Sequence, residues 1–221
     1  TGNAVVVQKD ELAKVSTNNI MQALQVTLTV AVLATLVATV IGSLGAIGIH
    51  AMKTGRANAL INLSYLSMTT PDIATGVSLM LMFVFMKIPL GWGTMLMAHI
   101  AFDTPYVLFS VLPKLRQMNP STYEAALDLG CKPGKALRKV ILPQIMPGIV
   151  TGALLSFTMS LDDFVISYFT SNTDQNLSMI VYSAARRGIE PTIYALSTLM
   201  FLAVLVLLVV INKRSSLEDV S

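Results

Sequence analysis

Five stretches of this chain, about 22–49, 59–86, 92–112, 144–168 and 193–212, are dominated by apolar residues. Each reaches the roughly 20 residues that a helix needs to cross hydrocarbon. No other feature constrains the fold as much, because a lipid core offers no water to pair with backbone N–H and C=O groups. A span must satisfy those groups within itself, as a helix does, or by closing into a barrel. No ten-residue alternating pattern suggests a barrel. The expectation is an all-α membrane protein, a bundle of transmembrane helices with five visible spans. Composition agrees, with 54% hydrophobic and 12% charged residues, where soluble domains carry about 25% charged.

Lys and Arg set the orientation. Ten of the 15 lie in three polar places: Lys53 and Arg56; Lys114, Arg116, Lys132, Lys135, Arg138 and Lys139; Lys213 and Arg214. Cytoplasmic loops carry the excess of such residues. The 50–58 loop, the 113–143 loop and the 213–221 tail are therefore expected inside, and the 87–91 turn and the 169–192 loop outside. The basic balance reads as topology, and nucleic acid is not an expected partner. Residues 1–20 form an extracytoplasmic segment, 21–214 the membrane domain, and 215–221 a cytoplasmic tail. An external N-terminus without a visible export signal, in a chain that starts at Thr1, predicts a further span upstream. The single Cys131 cannot form an internal disulfide, and no Cys/His cluster suggests a metal. His50 and His99 stand alone and are expected to be structural or interfacial. Gly42, Gly45, Ala46 and Gly48, at three- and four-residue spacing, predict close helix packing in lipid. Leu177, Ile180, Val181 and Ala184 predict a helix in the outer loop, lying on the membrane surface or against a partner.

Four carboxylates fall where lipid is expected: Asp72, Asp103, Asp162 and Asp163. Each costs roughly 2.5–3.5 kcal/mol at a helix centre, so each should face a cavity, a partner or a helix end. Asp72 sits in Thr69-Thr70-Pro71-Asp72, about 20 Å into its run at helical rise. Pro71 suits the first turn of a new helix, Thr70 is placed to cap it, and Asp72 suits the positive dipole end. This predicts two half-helices broken near the membrane middle. Asp103-Thr104-Pro105 repeats the grammar in the third run. Broken helices at mid-depth border transport pathways, although both acids also make sense as plain caps. Asp162-Asp163 has no such proline. Adjacent helical residues point about 100° apart, so at least one should line a polar cavity. Four acids and no basic residue within the spans suit a cationic substrate. Tyr106, Phe102, Phe164, Tyr168 and Trp92 are candidate aromatic faces for ammonium groups.

Residues 121–148 read STYEAALDLGCKPGKALRKVILPQIMPG. Tyr123, Glu124, Ala125, Ala126, Leu127 and Leu129 predict a short helix stopped at Gly130. Lys135 to Leu142 predict a second, basic helical piece, followed by Pro143 and Pro147. The E-A-A pattern, Gly130 and Ile141-Leu142-Pro143 resemble the cytoplasmic coupling loop of ABC-importer permeases. With TTPDIATGVSLMLMF at 69–83, FDTPYVLFSVLPKLRQMNPSTYEAALDLG at 102–130, VILPQIMPG at 140–148 and SFTMSLDDFVISYF at 156–169, the chain resembles inner-membrane permeases of the spermidine/putrescine ABC importer family from about Ile20 to Arg214. That resemblance implies the type I importer (MetI-like) permease fold. It also implies a second permease of similar fold, a cytoplasmic ABC ATPase dimer and a periplasmic or extracellular substrate-binding protein. The family has six spans, which agrees with one missing upstream. Tyr123, Glu124, Ala125, Ala126, Gly130, Leu142 and Pro143 would form the ATPase coupling element. Asp162, Asp163, Asp72, Asp103, Tyr106 and Phe164 would line the substrate pathway. The chain itself has no phosphate-cradling G-x-x-x-x-G-K-[ST] loop and no nucleophile–base pair, so neither enzyme activity nor a cofactor is expected. The alternatives are a permease for another solute and a proton-coupled transporter of cations in the bacterial inner membrane.

Overall fold

The computed structural model describes residues 2–172, 174–187 and 191–218, with side chains described within 20–119, 121–172 and 174–183 and at positions from 195 to 209. The end of the expected tail, 219–221, lies outside the described residues. Every regular element among them is helical. In chain order these are α1 (Gly2–Ala51), α2 (Thr54–Thr69), α3 (Asp72–Phe85), α4 (Trp92–Gln117), α5 (Pro120–Asp128), α6 (Pro133–Ala136), a π-helical turn (Leu137–Ile141), α7 (Leu142–Asp162), α8 (Val165–Thr170), α9 (Leu177–Arg187) and α10 (Pro191–Glu218).

Three helical stretches are long and apolar enough to cross a membrane: Ile20–Ala51, Trp92–Gln117 and Pro133–Asp162. The second apolar run is a broken span, with α2 and α3 meeting at 106°. The fifth run falls on α10, whose apolar stretch is Ser197–Val209.

The centre of the molecule is the seam where α1, α4 and α7 meet. Lipid supplies no hydrophobic drive between helices, so close contact has to come from small residues and tight packing. Gly42 does this for α1: a Cβ there would lie 2.8 Å from Val107 Cβ and 2.9 Å from the Thr104 carbonyl. Gly152 does it for α7, where a Cβ would meet Val107 Cα at 3.0 Å. Ala38, Ala46, Val107, Val111, Leu115 and Ile145 fill the seam and are buried. On the other side of α1, Leu36, Val40 and Leu44 are exposed, as a lipid-facing surface requires. A smaller cluster of Phe83, Ala98, Phe102 and Ile166 ties α3 and α8 to α4.

Three local expectations are corrected. Thr70 does not cap α3; its hydroxyl donates 2.7 Å back to the Leu66 carbonyl and closes the end of α2. The third run is not broken at Asp103-Thr104-Pro105, because α4 passes through Pro105 unbroken. There the Thr104 hydroxyl donates to the Ile100 carbonyl at 2.6 Å, and packing against α1 and α7 holds the helix. The fourth run, expected to be continuous over 144–168, ends at Asp162 and restarts as α8. The reason is a side chain: the Asp163 carboxylate accepts from the backbone N–H groups of Ile166 at 3.2 Å and Ser167 at 2.8 Å. A carboxylate that satisfies the first N–H groups of a helix favours starting one there.

Candidate substrate pathway and coupling surface

The expected pathway residues separate into two groups. Asp72 opens α3 at the 106° break and is exposed. Asp162 closes α7 and is also exposed. Asp72 lies within electrostatic reach of both Asp162 and Tyr106, so residues distant in sequence converge on one acidic region. Beside it opens a cavity of about 470 Å³ lined by Ile73, Phe164, Val165, Tyr168, Phe169, Tyr182 and Ser183. Ile73 follows Asp72, and Phe164 stands two residues after Asp162. The Phe164 and Tyr182 rings stack at 4.1 Å, and Tyr168 stands 5.5 Å from Phe164 and from Phe169. Aromatic faces next to carboxylates attract cations by both quadrupole and charge. Of the other candidate aromatics, Phe102 packs with Tyr106 at 5.3 Å and is buried.

Asp163 and Asp103 lie within the same electrostatic reach, of Asp162 and Tyr106 respectively, but are more buried. Besides capping α8, the Asp163 carboxylate accepts from the Ser167 hydroxyl at 3.0 Å and lies 3.4 Å from His99 Nε2. His99 is buried, with Nδ1 2.6 Å from Ser160 Oγ and Nε2 2.9 Å from Ser167 Oγ. Asn176 donates to the Asp163 carbonyl and to Ser167 Oγ, each at 2.8 Å. Leu177 N–H donates to Thr27 Oγ1 at 2.8 Å, which ties α9 to α1. This network joins α4, α7, α8, α9 and α1. Sequence reasoning expected His99 to be structural or interfacial but paired it with none of its partners. They are Ser160, Asp163 and Ser167, more than 60 positions away, and nothing local marks them as partners of His99. Asp103 lies in the middle of α4 with no exposed surface.

The expected coupling element is placed residue by residue. Asn119 Oδ1 accepts from Ser121 N–H at 3.0 Å and caps α5, with Pro120 in its first turn. The helix ends in a Schellman motif: Cys131 N–H donates to the Ala126 carbonyl at 3.1 Å, and Gly130 N–H to that of Leu127 at 2.8 Å. Gly130 has φ +77°, a left-handed conformation that favours glycine. Glu124 and Ala125 are exposed, Tyr123 and Ala126 half-buried. Leu129, at the end of α5, is 89% exposed and joins the same outward face. Leu142 opens α7 and packs with Ile141 against the core seam, while Pro143 is exposed.

A family described as binding-protein-dependent transport system inner membrane component matches residues 38–213. Over 203 residues the chain is 36% identical to the spermidine/putrescine transport system permease protein PotC of Haemophilus influenzae, covering 90% of this chain and 79% of that one. It is 38% identical over 194 residues to the putrescine transport system permease protein PotI of Escherichia coli K12, covering 83% and 68%. Among solved structures, a chain of the inward-facing MetNI methionine ABC transporter superposes with a TM-score of 0.67 at 18% identity, covering 92% of this chain and 96% of that one. A bacterial ABC transporter for the import of alginate gives 0.68 at 15% identity, covering 95% and 82%. At these identities the structural likeness speaks for the fold.

Proposed function

The chain belongs to the family of binding-protein-dependent transport system inner membrane components, and on that footing we propose that it is the membrane subunit of an ATP-driven importer of polyamines. The observation that carries the substrate class is a pair of exposed acids, Asp72 and Asp162, within electrostatic reach of each other and next in sequence to the lining of a cavity walled by Phe164, Tyr168 and Tyr182. A flexible chain bearing several ammonium groups is matched by acids that offset its desolvation and rings that bind its cationic ends. The curated relatives at 36% and 38% identity are spermidine/putrescine and putrescine permeases, which supports the same class.

The proposed partners are a cytoplasmic ABC ATPase dimer, a second permease and an external substrate-binding protein, with the C-terminus in the cytoplasm. The ATPase grips α5 through Tyr123, Glu124, Ala125, Ala126 and Gly130. Small alanines let the helix seat closely, and Gly130 turns the chain sharply back toward the bilayer. Its movement passes through α6 and the π-helical turn into α7. That helix is 21 residues long, about 30 Å at helical rise, and Asp162 stands at its far end. A displacement at Leu142 and Pro143 thereby reaches the substrate acids through one rigid element.

The test is uptake of radiolabelled spermidine and putrescine by proteoliposomes holding the full assembly. ATP-dependent uptake is expected, with loss of about tenfold or more in Asp72→Asn combined with Asp162→Asn and no change in assembly. Wild-type uptake that follows a proton gradient without ATP would remove the importer reading. Undiminished uptake in the double variant would remove the pathway assignment. Co-purification of the ATPase should fall in Glu124→Lys.

A further inference from the structure

Asp103 is the most anomalous group in the described structure. Its residue is 0% exposed, and neither carboxylate oxygen has a hydrogen-bond partner. The hydroxyls of Thr39 and Ser43 on α1 are also buried without partners. Native proteins pair nearly all such atoms, so an orphan carboxylate beside orphan hydroxyls implies a missing occupant. The helix registers place these groups together. Along the antiparallel α4–α7 contact, His99 meets Ser160 at 2.6 Å, and Gly152 packs on Val107 so closely that a Cβ there would lie 3.0 Å from Val107 Cα. Asp103, midway between His99 and Val107, therefore stands opposite Ser156, midway between Ser160 and Gly152. Ser156 is buried and reaches Thr35 Oγ1 on α1 at 3.5 Å. Along the α1–α4 contact, Gly42 packs on Thr104 and Val107, which brings Thr39, one turn back, to the level of Asp103.

We propose that Asp103, Thr39 and Ser156 form a binding site for a small monovalent cation of sodium size, buried at the junction of α1, α4 and α7 and separate from the substrate acids. Hydroxyl and carboxylate oxygens are hard donors that suit such an ion. A single carboxylate neutralises one positive charge, whereas the neighbouring acid, Asp163, is already engaged by α8 and His99. His99 has both ring nitrogens committed to Ser160 and Ser167, so it does not take the ion's place. A bridging water would supply hydrogen bonds but no positive charge to offset an ionised Asp103. Bound there, the ion would bolt the three central helices together through one ligand from each.

The test uses the full chain purified in detergent, with thermal unfolding followed as sodium replaces choline at constant ionic strength. The expected result is a saturable rise in unfolding temperature with sodium, weaker with potassium and absent in Asp103→Asn. Ser156→Ala and Thr39→Ala should fold and require at least about tenfold more sodium for half the effect, as loss of a ligand does. These two variants carry the test if Asp103→Asn does not fold. Wild type indifferent to sodium would overturn the site, as would an equal sodium response in Asp103→Asn or in both hydroxyl variants. Stabilisation that tracks falling pH and ignores sodium would also overturn it, since the occupant would then be a proton.

Discussion

Two segments of this protein share one sequence grammar and fold differently. Thr70-Pro71-Asp72 breaks its span by 106° and leaves the acid exposed. Asp103-Thr104-Pro105 sits inside an unbroken α4, with the acid fully buried. Proline withdraws one backbone donor in both places, so the difference lies in the surroundings. At Pro105 the helix is clamped from two sides, by Gly42 of α1 and Gly152 of α7 packing onto Thr104 and Val107. Breaking α4 would open that seam. At Pro71 no such clamp exists, and residues 71–74 are exposed. The chain there takes two extended residues and starts again, which brings Asp72 into reach of Asp162. A proline in a membrane helix thus marks a place where a break is cheap, and tertiary packing decides whether it occurs.

The comparison can be broken most sharply at the clamp. Gly42→Leu should destabilise the folded protein by about 3 kcal/mol, because Val107 and the Thr104 backbone cannot both retreat. Gly76→Ala on α3 should cost less than about 1 kcal/mol, since its new methyl group would press mainly on the Phe169 ring edge at 2.9 Å, and that ring can swing. Thermal unfolding in detergent would measure both, and equal losses would defeat the idea that one segment is clamped and the other free. Next in size is His99→Ala, expected to cost about 2 kcal/mol by stranding the buried Ser160 and Asp163 atoms it now serves. Unfolding at an unchanged temperature would show that this network is not a structural node.

Smaller effects sharpen the contrast between the prolines. Pro71→Ala should relax the bend and lower uptake several-fold, with stability changed by less than about 1 kcal/mol. Spin labels at Leu63 and Leu81, both exposed, would report the angle between α2 and α3, and an unaltered distance distribution would count against proline as the cause. Pro105→Ala should have the smallest effect of all, within about 0.5 kcal/mol and with normal uptake, because the helix there is already continuous. A large change in uptake would mean that Pro105 itself contributes to transport.

The α5 segment shows how far local reading reaches. The Asn119 cap, the Pro120 start and the Gly130 stop form one helix whose hydrogen bonds span only a few residues, so sequence specifies it fully. Asp163 shows where local reading ends. An adjacent acid pair inside an apolar run predicts that at least one lines a polar cavity but not which, and it is Asp162 that is exposed while Asp163 is spent on starting α8 and holding His99. The two carboxyls are chemically alike, and their roles diverge through contacts with residues that no short-range pattern identifies.

By itself, the sequence determined that this chain is helical in a bilayer, where α2 is able to stop, and which residues form the α5 loop helix, because lipid, proline and glycine act on the backbone locally. Only the tertiary structure decided that the span opens at Pro71 and not at Pro105, that Asp72 comes within electrostatic reach of Asp162, and that Asp103 is sealed between three helices. Those outcomes depend on which surfaces from distant parts of the chain press together, and packing energy of that kind belongs to the assembled bundle.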